Sequence, residues 1–180
     1  MDFPTNQYQV IYADPPWYYP PRTNTKTAFG KGADSHYPLM TDQQILDLPI
    51  QNICSDNCAL FLWVTGSRLD FGIQTLTNWG FRFCTIAFTW IKQNPKALTI
   101  FKGPGHYTKS NTELVLLGAR GSVPIEDKTI SQILISPRER HSKKPDEIRT
   151  RIERLYPTQT KIELFARTQT SGWDVWGNEV

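Results

Sequence analysis

The chain has 180 residues, 39% of them hydrophobic and 12% aromatic, with a formal net charge of +3. That is enough for a single domain with a full core over residues 1–180, and the composition excludes a disordered or fibrous chain. No apolar run approaches a membrane span and no basic-then-apolar leader opens the sequence, so a cytoplasmic protein, not secreted and not in a membrane, is expected. The three cysteines, Cys54, Cys58 and Cys84, fit reduced thiols, and C-x3-C without a nearby histidine argues against a metal site.

In chain order, Tyr8 to Ala13 is an apolar, β-branched and aromatic run that predicts a buried strand. Asp14-Pro15-Pro16-Trp17 follows it directly, and then comes a loop rich in Pro, Tyr, Lys and Gly that runs to about residue 40. Thr41 and Gln44 form a capping-box pattern for a short helix through Asp47. The unbroken apolar stretch Ala59 to Val64 predicts a strand covered on both faces. Ser67 is placed to cap a helix from Arg68 to about Trp79, with Leu69, Ile73 and Leu76 inward and Gly80 ending it.

Phe81 to Ile91 and Thr112 to Ala119 read as strands, separated by a basic loop containing Gly103-Pro104-Gly105. Ile130 to Ile135 reads as a short strand. Pro145 opens a helix with Asp146 and Glu147 at its positive end, Ile148, Ile152 and Leu155 inward, and Arg149, Arg151 and Arg154 outward. Pro157 ends it, and Thr160 to Ala166 is the last strand. Alternating strands and helices predict a mostly parallel α/β sheet.

Charge is segregated. Residues 18–31, 91–110 and 137–144 carry eleven of the twenty Lys and Arg residues but only one of the seventeen acids. Arg22, Lys26 and Lys31, then Lys92, Lys96, Lys102 and Lys109, then Arg138, Arg140, Lys143 and Lys144 thus form basic loops on an acidic body. Tyr18, Tyr19, Phe29, Phe101, His106 and Tyr107 interleave with them. Cations that track phosphates beside aromatics that stack bases point to a nucleic-acid partner.

A carboxylate at the end of a strand in an open α/β sheet sits where ligands bind. Here the chemistry that fits is methyl transfer to an exocyclic amine of a base. Such an amine is a poor nucleophile because its lone pair is delocalised into the ring. Acceptors on both of its hydrogens make the nitrogen tetrahedral and aim the lone pair. Asp14 supplies one acceptor and the Pro15 carbonyl, fixed by two successive prolines, the other. Trp17 offers a face on which an extruded base can lie. No strong base is needed, so alignment and electrostatics carry the rate.

The Asp14-Pro15-Pro16-Trp17 element resembles the DPPW signature of adenine-N6 methyltransferases related to the catalytic subunit of the eukaryotic mRNA adenosine methyltransferase. The likeness continues in order through Ala59–Gly66, Gly105-His106, Glu113, Ser142–Glu147, Lys161–Arg167 and Trp176–Glu179. It implies a Rossmann-like S-adenosylmethionine-dependent fold with a permuted motif order, the amine-gripping strand first and the donor-binding strand last. It also implies that Glu163, Leu164, Phe165, Arg167 and Gln169 line the donor pocket with Asp14, and that Asn178 and Glu179 close over the adenosine end. The chain departs from the family pattern at Thr168-Gln169-Thr170 and at Lys143, which replaces a histidine.

Neither a G-x-G-x-x-G nor a phosphate loop is present, which argues against dinucleotides and nucleoside triphosphates. Tyr18, Lys102, His106, Tyr107, Lys143 and Lys144 are the residues expected to hold substrate. DNA is the preferred substrate, because the sequence carries none of the RNA-binding modules often appended to the eukaryotic enzyme's relatives. The same reaction on RNA, or a catalytically silent nucleic-acid-binding subunit, are the alternatives, and a homodimer or heterodimer is left open.

Overall fold

A computed structural model of the chain describes residues 2–19, 40–105, 107–139 and 143–180. Seven strands form one sheet in the order β5-β3-β4-β2-β1-β6-β7. They are β1 (Tyr8–Ala13), β2 (Cys54–Val64), β3 (Arg82–Gln93), β4 (Thr112–Arg120), β5 (Ile133–Pro137), β6 (Lys161–Leu164) and β7 (Asp174–Trp176). The helices are α1 (Asp42–Leu46), α2 (Leu69–Asn78) and α3 (Asp146–Leu155). Only β4 runs against its neighbours, β2 and β3; every other pairing is parallel. The described residues of the segment 94–111 hold no crossover helix, and the chain re-enters at the end of the sheet where β3 leaves it, which makes β4 antiparallel to β3.

Alternation along the strands divides the core in two. Ile11 and Ala13 of β1, with Leu60, Leu62 and Val64 of β2, face α1, α2 and the single turn Ile50–Ile53. Val10 and Tyr12, with Ala59, Phe61 and Trp63, face Ile148 and Ile152 of α3. Every residue from Ala59 to Val64 is at most 2% exposed, which is why this strand needs no polar side. The capping box of α1 forms as expected, with Gln44 N–H donating to Thr41 Oγ1 and Thr41 N–H donating to Gln44 Oε1 at 2.8 Å.

Two expectations are corrected and one is extended. Ser67 does not cap α2; its hydroxyl lies 3.1 Å from the Thr65 hydroxyl, and a single turn Gly66–Arg68 precedes the helix. The most deeply buried positions of α2 are Phe71, Gly72, Thr75 and Leu76, and Leu69 and Ile73 pack half-buried against the same core as expected. A Cβ on Gly72 would lie 2.4 Å from Val64 Cγ1, so the helix is pressed against β2 through a residue with no side chain. On α3, Arg149 and Arg151 are not outward, each retaining about 15% side-chain exposure in ion pairs, and only Arg154 is largely open. No helix among the described residues is long and apolar enough to cross a membrane.

Candidate active site

All strands but β4 end at one edge of the sheet, and the chain order reverses between β1 and β6. That switch point is where open α/β sheets bind ligands. Asp14 leaves β1 there, beside the ends of β2 and β6.

The two prolines shape the motif. The Trp17 N–H donates to the Pro15 carbonyl at 2.8 Å, closing a three-residue turn centred on Pro16, whose ring sets the required φ. One lone pair of the Pro15 carbonyl is therefore used and one is left. Pro16 in turn accepts from Met40 N–H at 3.2 Å.

Trp17 is not a stacking platform. It is 5% exposed, its Nε1 donates to the Trp63 carbonyl at 3.0 Å, and its ring meets Phe71 edge-on at 5.7 Å. An indole buried among core residues has no face left for a base. Its neighbours Tyr18 and Tyr19 are 43% and 40% exposed, and Tyr19 Oη lies 3.1 Å from Thr65 Oγ1 at the end of β2.

A chain of charges runs through the site. Lys144, just before α3, donates to Asp14 Oδ2 at 2.6 Å and lies 3.5 Å from Glu113 Oε2. Its ammonium sits 5.4 Å from the Trp63 ring centroid. Glu113, at the start of β4, also pairs with Lys92 from the end of β3. Burial pushes the Asp14 carboxyl up, and Lys144 opposes that without cancelling it. Burial acts upward on Glu113 too, but Lys144 and Lys92 together hold it below its ordinary value. Burial would lower Lys144; the two carboxylates outweigh it and raise it, so Lys144 is charged. Among the described residues no hydrogen bond reaches Asp14 Oδ1.

On the other side of Asp14, β6 pairs with β1 so that Glu163 stands beside Tyr12 on the α3 face. Leu164 is 1% exposed with its side chain in the core, so only its backbone faces the edge. Phe165 has φ +62°, an uncommon conformation for a bulky residue, and it ends β6 at Leu164 instead of the expected Ala166. Its ring packs against Trp176 of β7 at 5.5 Å. The Ala166 N–H donates to the Trp176 carbonyl at 3.0 Å, and a Cβ on Gly177 would meet the Ala166 carbonyl oxygen at 2.1 Å. Only glycine allows this approach.

Arg167 and Glu179 are exposed and 3.6 Å apart, and the Arg167 charge acts on Asp14. Asn178 is exposed beside them. Trp176 Nε1 is buried without a partner. Carboxylates, an arginine, an amide and an unspent indole donor at one sheet edge fit the hydroxyls, amino and carboxylate groups of an aminoacyl nucleoside.

Other expected residues are placed differently. Gln169 donates to the Trp173 carbonyl at 3.1 Å and so braces the turn before β7. Lys143 is exposed and pairs with Glu139 at 2.6 Å and Asp146 at 3.0 Å. Lys92 likewise is spent on Glu113 rather than standing on a loop. Lys102 and Tyr107 are exposed, Tyr107 at 96%. His106, His36, His141, Ser142, Arg140 and the basic stretch Arg22, Lys26 and Lys31 with Phe29 lie outside the described residues.

Sequence reasoning missed β7, whose three residues are too few to show a period. It also missed the structural use of Lys92, Glu113 and Arg149. A lone charge at the first or last residues of an apolar strand, as at Glu113, was the available signal.

A carboxylate at the switch point of an open α/β sheet, with polar groups at the ends of the next two strands, fits the site of an S-adenosylmethionine-dependent methyltransferase. The chain belongs to the MT-A70 family, which it matches over residues 8–179. It is 35% identical to the type II methyltransferase M.MunI of a Mycoplasma species, over 98% of this chain and 79% of that protein. It is 31% identical to the human N(6)-adenosine-methyltransferase catalytic subunit METTL3, over 97% of this chain but 28% of that protein. A putative N(6)-adenosine-methyltransferase MT-A70-like protein of Medicago truncatula is 30% identical over 97% of this chain and 26% of its own length. The chain thus spans about a quarter of the length of these adenosine methyltransferases.

Proposed function

We propose that the chain methylates the N6 amine of adenine in DNA, with Asp14 and the Pro15 carbonyl as the two acceptors that orient the amine. Asp14 Oδ1 takes one amine hydrogen while Lys144 holds Oδ2, and the remaining lone pair of Pro15 takes the other. Both acceptors are set before substrate arrives, so little reorganisation is needed at the moment of transfer. S-adenosylmethionine supplies an electrophilic methyl group. The amine proton becomes acidic once the methyl is attached, and Asp14, whose burial raises its carboxyl, is the group placed to accept it. Glu163, Arg167, Asn178 and Glu179 would hold the donor, and Tyr18 or Tyr19 would lie against the base. A duplex substrate has to be opened, at a cost of a few kcal/mol.

The observation that carries this reading is the Lys144–Asp14 pair at the switch point, with the ends of β6 and β7 alongside. DNA is favoured over RNA by the type II methyltransferase, which the chain matches over most of its length, where the adenosine enzymes are matched over about a quarter. Methyl incorporation into matched DNA and RNA oligonucleotides, with the modified base identified by mass spectrometry, tests it. N6-methyladenine in DNA is expected. Incorporation into RNA alone would replace DNA as the substrate, and binding without turnover on either would leave a silent subunit.

A further inference from the structure

Glu163 is the one carboxylate of the donor side that is both half-buried and gripped by a helix. Arg149 of α3 donates to it through Nε at 2.9 Å, and Nη2 lies 2.8 Å from the same oxygen, Oε2. Arginine–carboxylate pairs are frequently fork to fork, with both oxygens used. Here, among the described residues, no hydrogen bond reaches Oε1. The guanidinium is itself fixed, since Nη1 donates to Asp146 Oδ1 at 3.1 Å in the first turn of α3. Each of the paired side chains keeps 15% exposure, so the geometry is set by packing around Ile148 and Ile152 rather than by chance surface contact.

We propose that Arg149 is a positioning residue for the methyl donor, holding Glu163 by Oε2 so that Oε1 is presented to the ribose hydroxyls of S-adenosylmethionine. This rests on the reading that Glu163 faces the donor. The charged and titratable groups around Glu163 are Arg149 and Asp146 from α3, and Tyr12 and Asp14 from β1; its neighbour on β7 is Val175. Burial raises the Glu163 carboxyl, Arg149 opposes that, and Asp14 and Asp146 add to the rise. Without Arg149 nothing in that set opposes protonation. The carboxyl then takes up a proton at a higher pH, and donor affinity falls as pH is lowered.

The test is calorimetric binding of S-adenosylmethionine to the whole chain at several pH values, for wild type, Arg149→Met, Arg149→Lys and Glu163→Gln. Arg149→Met is expected to bind about tenfold more weakly near about pH 6 and to recover most of that loss near about pH 9. Arg149→Lys, which keeps the charge, should restore the wild-type pH profile while remaining weaker. Glu163→Gln should be weak and insensitive to pH. An equal loss for Arg149→Met at every pH would overturn the proposal, leaving Arg149 as a structural tie. Unchanged binding by Glu163→Gln would overturn it too, by removing Glu163 from the donor site. Wild type that binds no donor at any pH would instead overturn the function proposed above, and this inference with it.

Discussion

Replacing Lys144 by Met removes the cation that lies between two carboxylates while keeping most of the side chain's length and apolar bulk. Lys144, Asp14 and Glu113 keep 18%, 28% and 15% side-chain exposure, so the network is screened but not sealed. Breaking a fully buried pair costs about 3–5 kcal/mol. With this much water contact, and with Lys92 still on Glu113, about 1–3 kcal/mol is expected, or a fall in Tm of about 2–10 °C. The effect on turnover is larger and depends on pH. Lys144 is the chief influence holding the Asp14 carboxyl down against burial, so its loss moves protonation of Asp14 to higher pH. Turnover should fall by about ten- to a hundredfold at about pH 6 and by much less at about pH 9. Lys144→Arg should retain the wild-type profile in large part. Thermal unfolding and kcat against pH at fixed ionic strength measure both effects. A Lys144→Met variant with wild-type Tm and an unshifted pH profile would refute the role given to this charge network.

Trp17→Ala should cost about 3–5 kcal/mol in urea unfolding, as for any large buried aromatic, while Trp17→Phe should keep measurable methyl transfer; a Trp17→Ala chain of wild-type stability would contradict the burial described. Gly177→Ala should lower Tm and weaken donor binding together, because its Cβ must displace the Ala166 carbonyl, at a cost of about 1–3 kcal/mol or more. Glu113 has a depressed carboxyl, so its contribution to stability is present above the ordinary carboxylate range and is lost as pH falls through its lower folded value. Urea midpoints of wild type should therefore drop on acidification more than those of Glu113→Gln, and parallel curves would show that Glu113 contributes nothing.

The parts of the fold with a strong local pattern were legible in the residues. β1 and the buried centre of β2 follow from unbroken apolar runs, and α1 from Thr41 and Gln44. The direction of β4 was not legible, because period and composition are the same for either orientation and only the length and path of the preceding connection decide it. The contact face of α2 was only partly legible because Gly72 and Thr75 lie inside it beside Leu69, Ile73 and Leu76; close approach rewards small residues, which a hydrophobic count ignores. In the site, Asp14 and its prolines stood out because three chemically constrained residues follow a buried strand. The surface assigned to Trp17 was wrong for a related reason: the same apolar bulk that suits a base also suits the core. Lys92 was read as a loop cation and Arg149 as an outward helix residue where both are partners, since the ion pairs Lys92–Glu113 and Arg149–Glu163 join different elements.

The most direct measurement is methyl incorporation into adenine-containing DNA by Asp14→Asn, with donor and DNA binding measured on the same preparation. The amide keeps the shape of the carboxylate but loses its charge and turns one acceptor into a donor. Turnover should fall by about a thousandfold or more while donor and DNA affinities stay within a few fold of wild type. N6-methyladenine formed by Asp14→Asn at a rate near that of wild type would contradict the account.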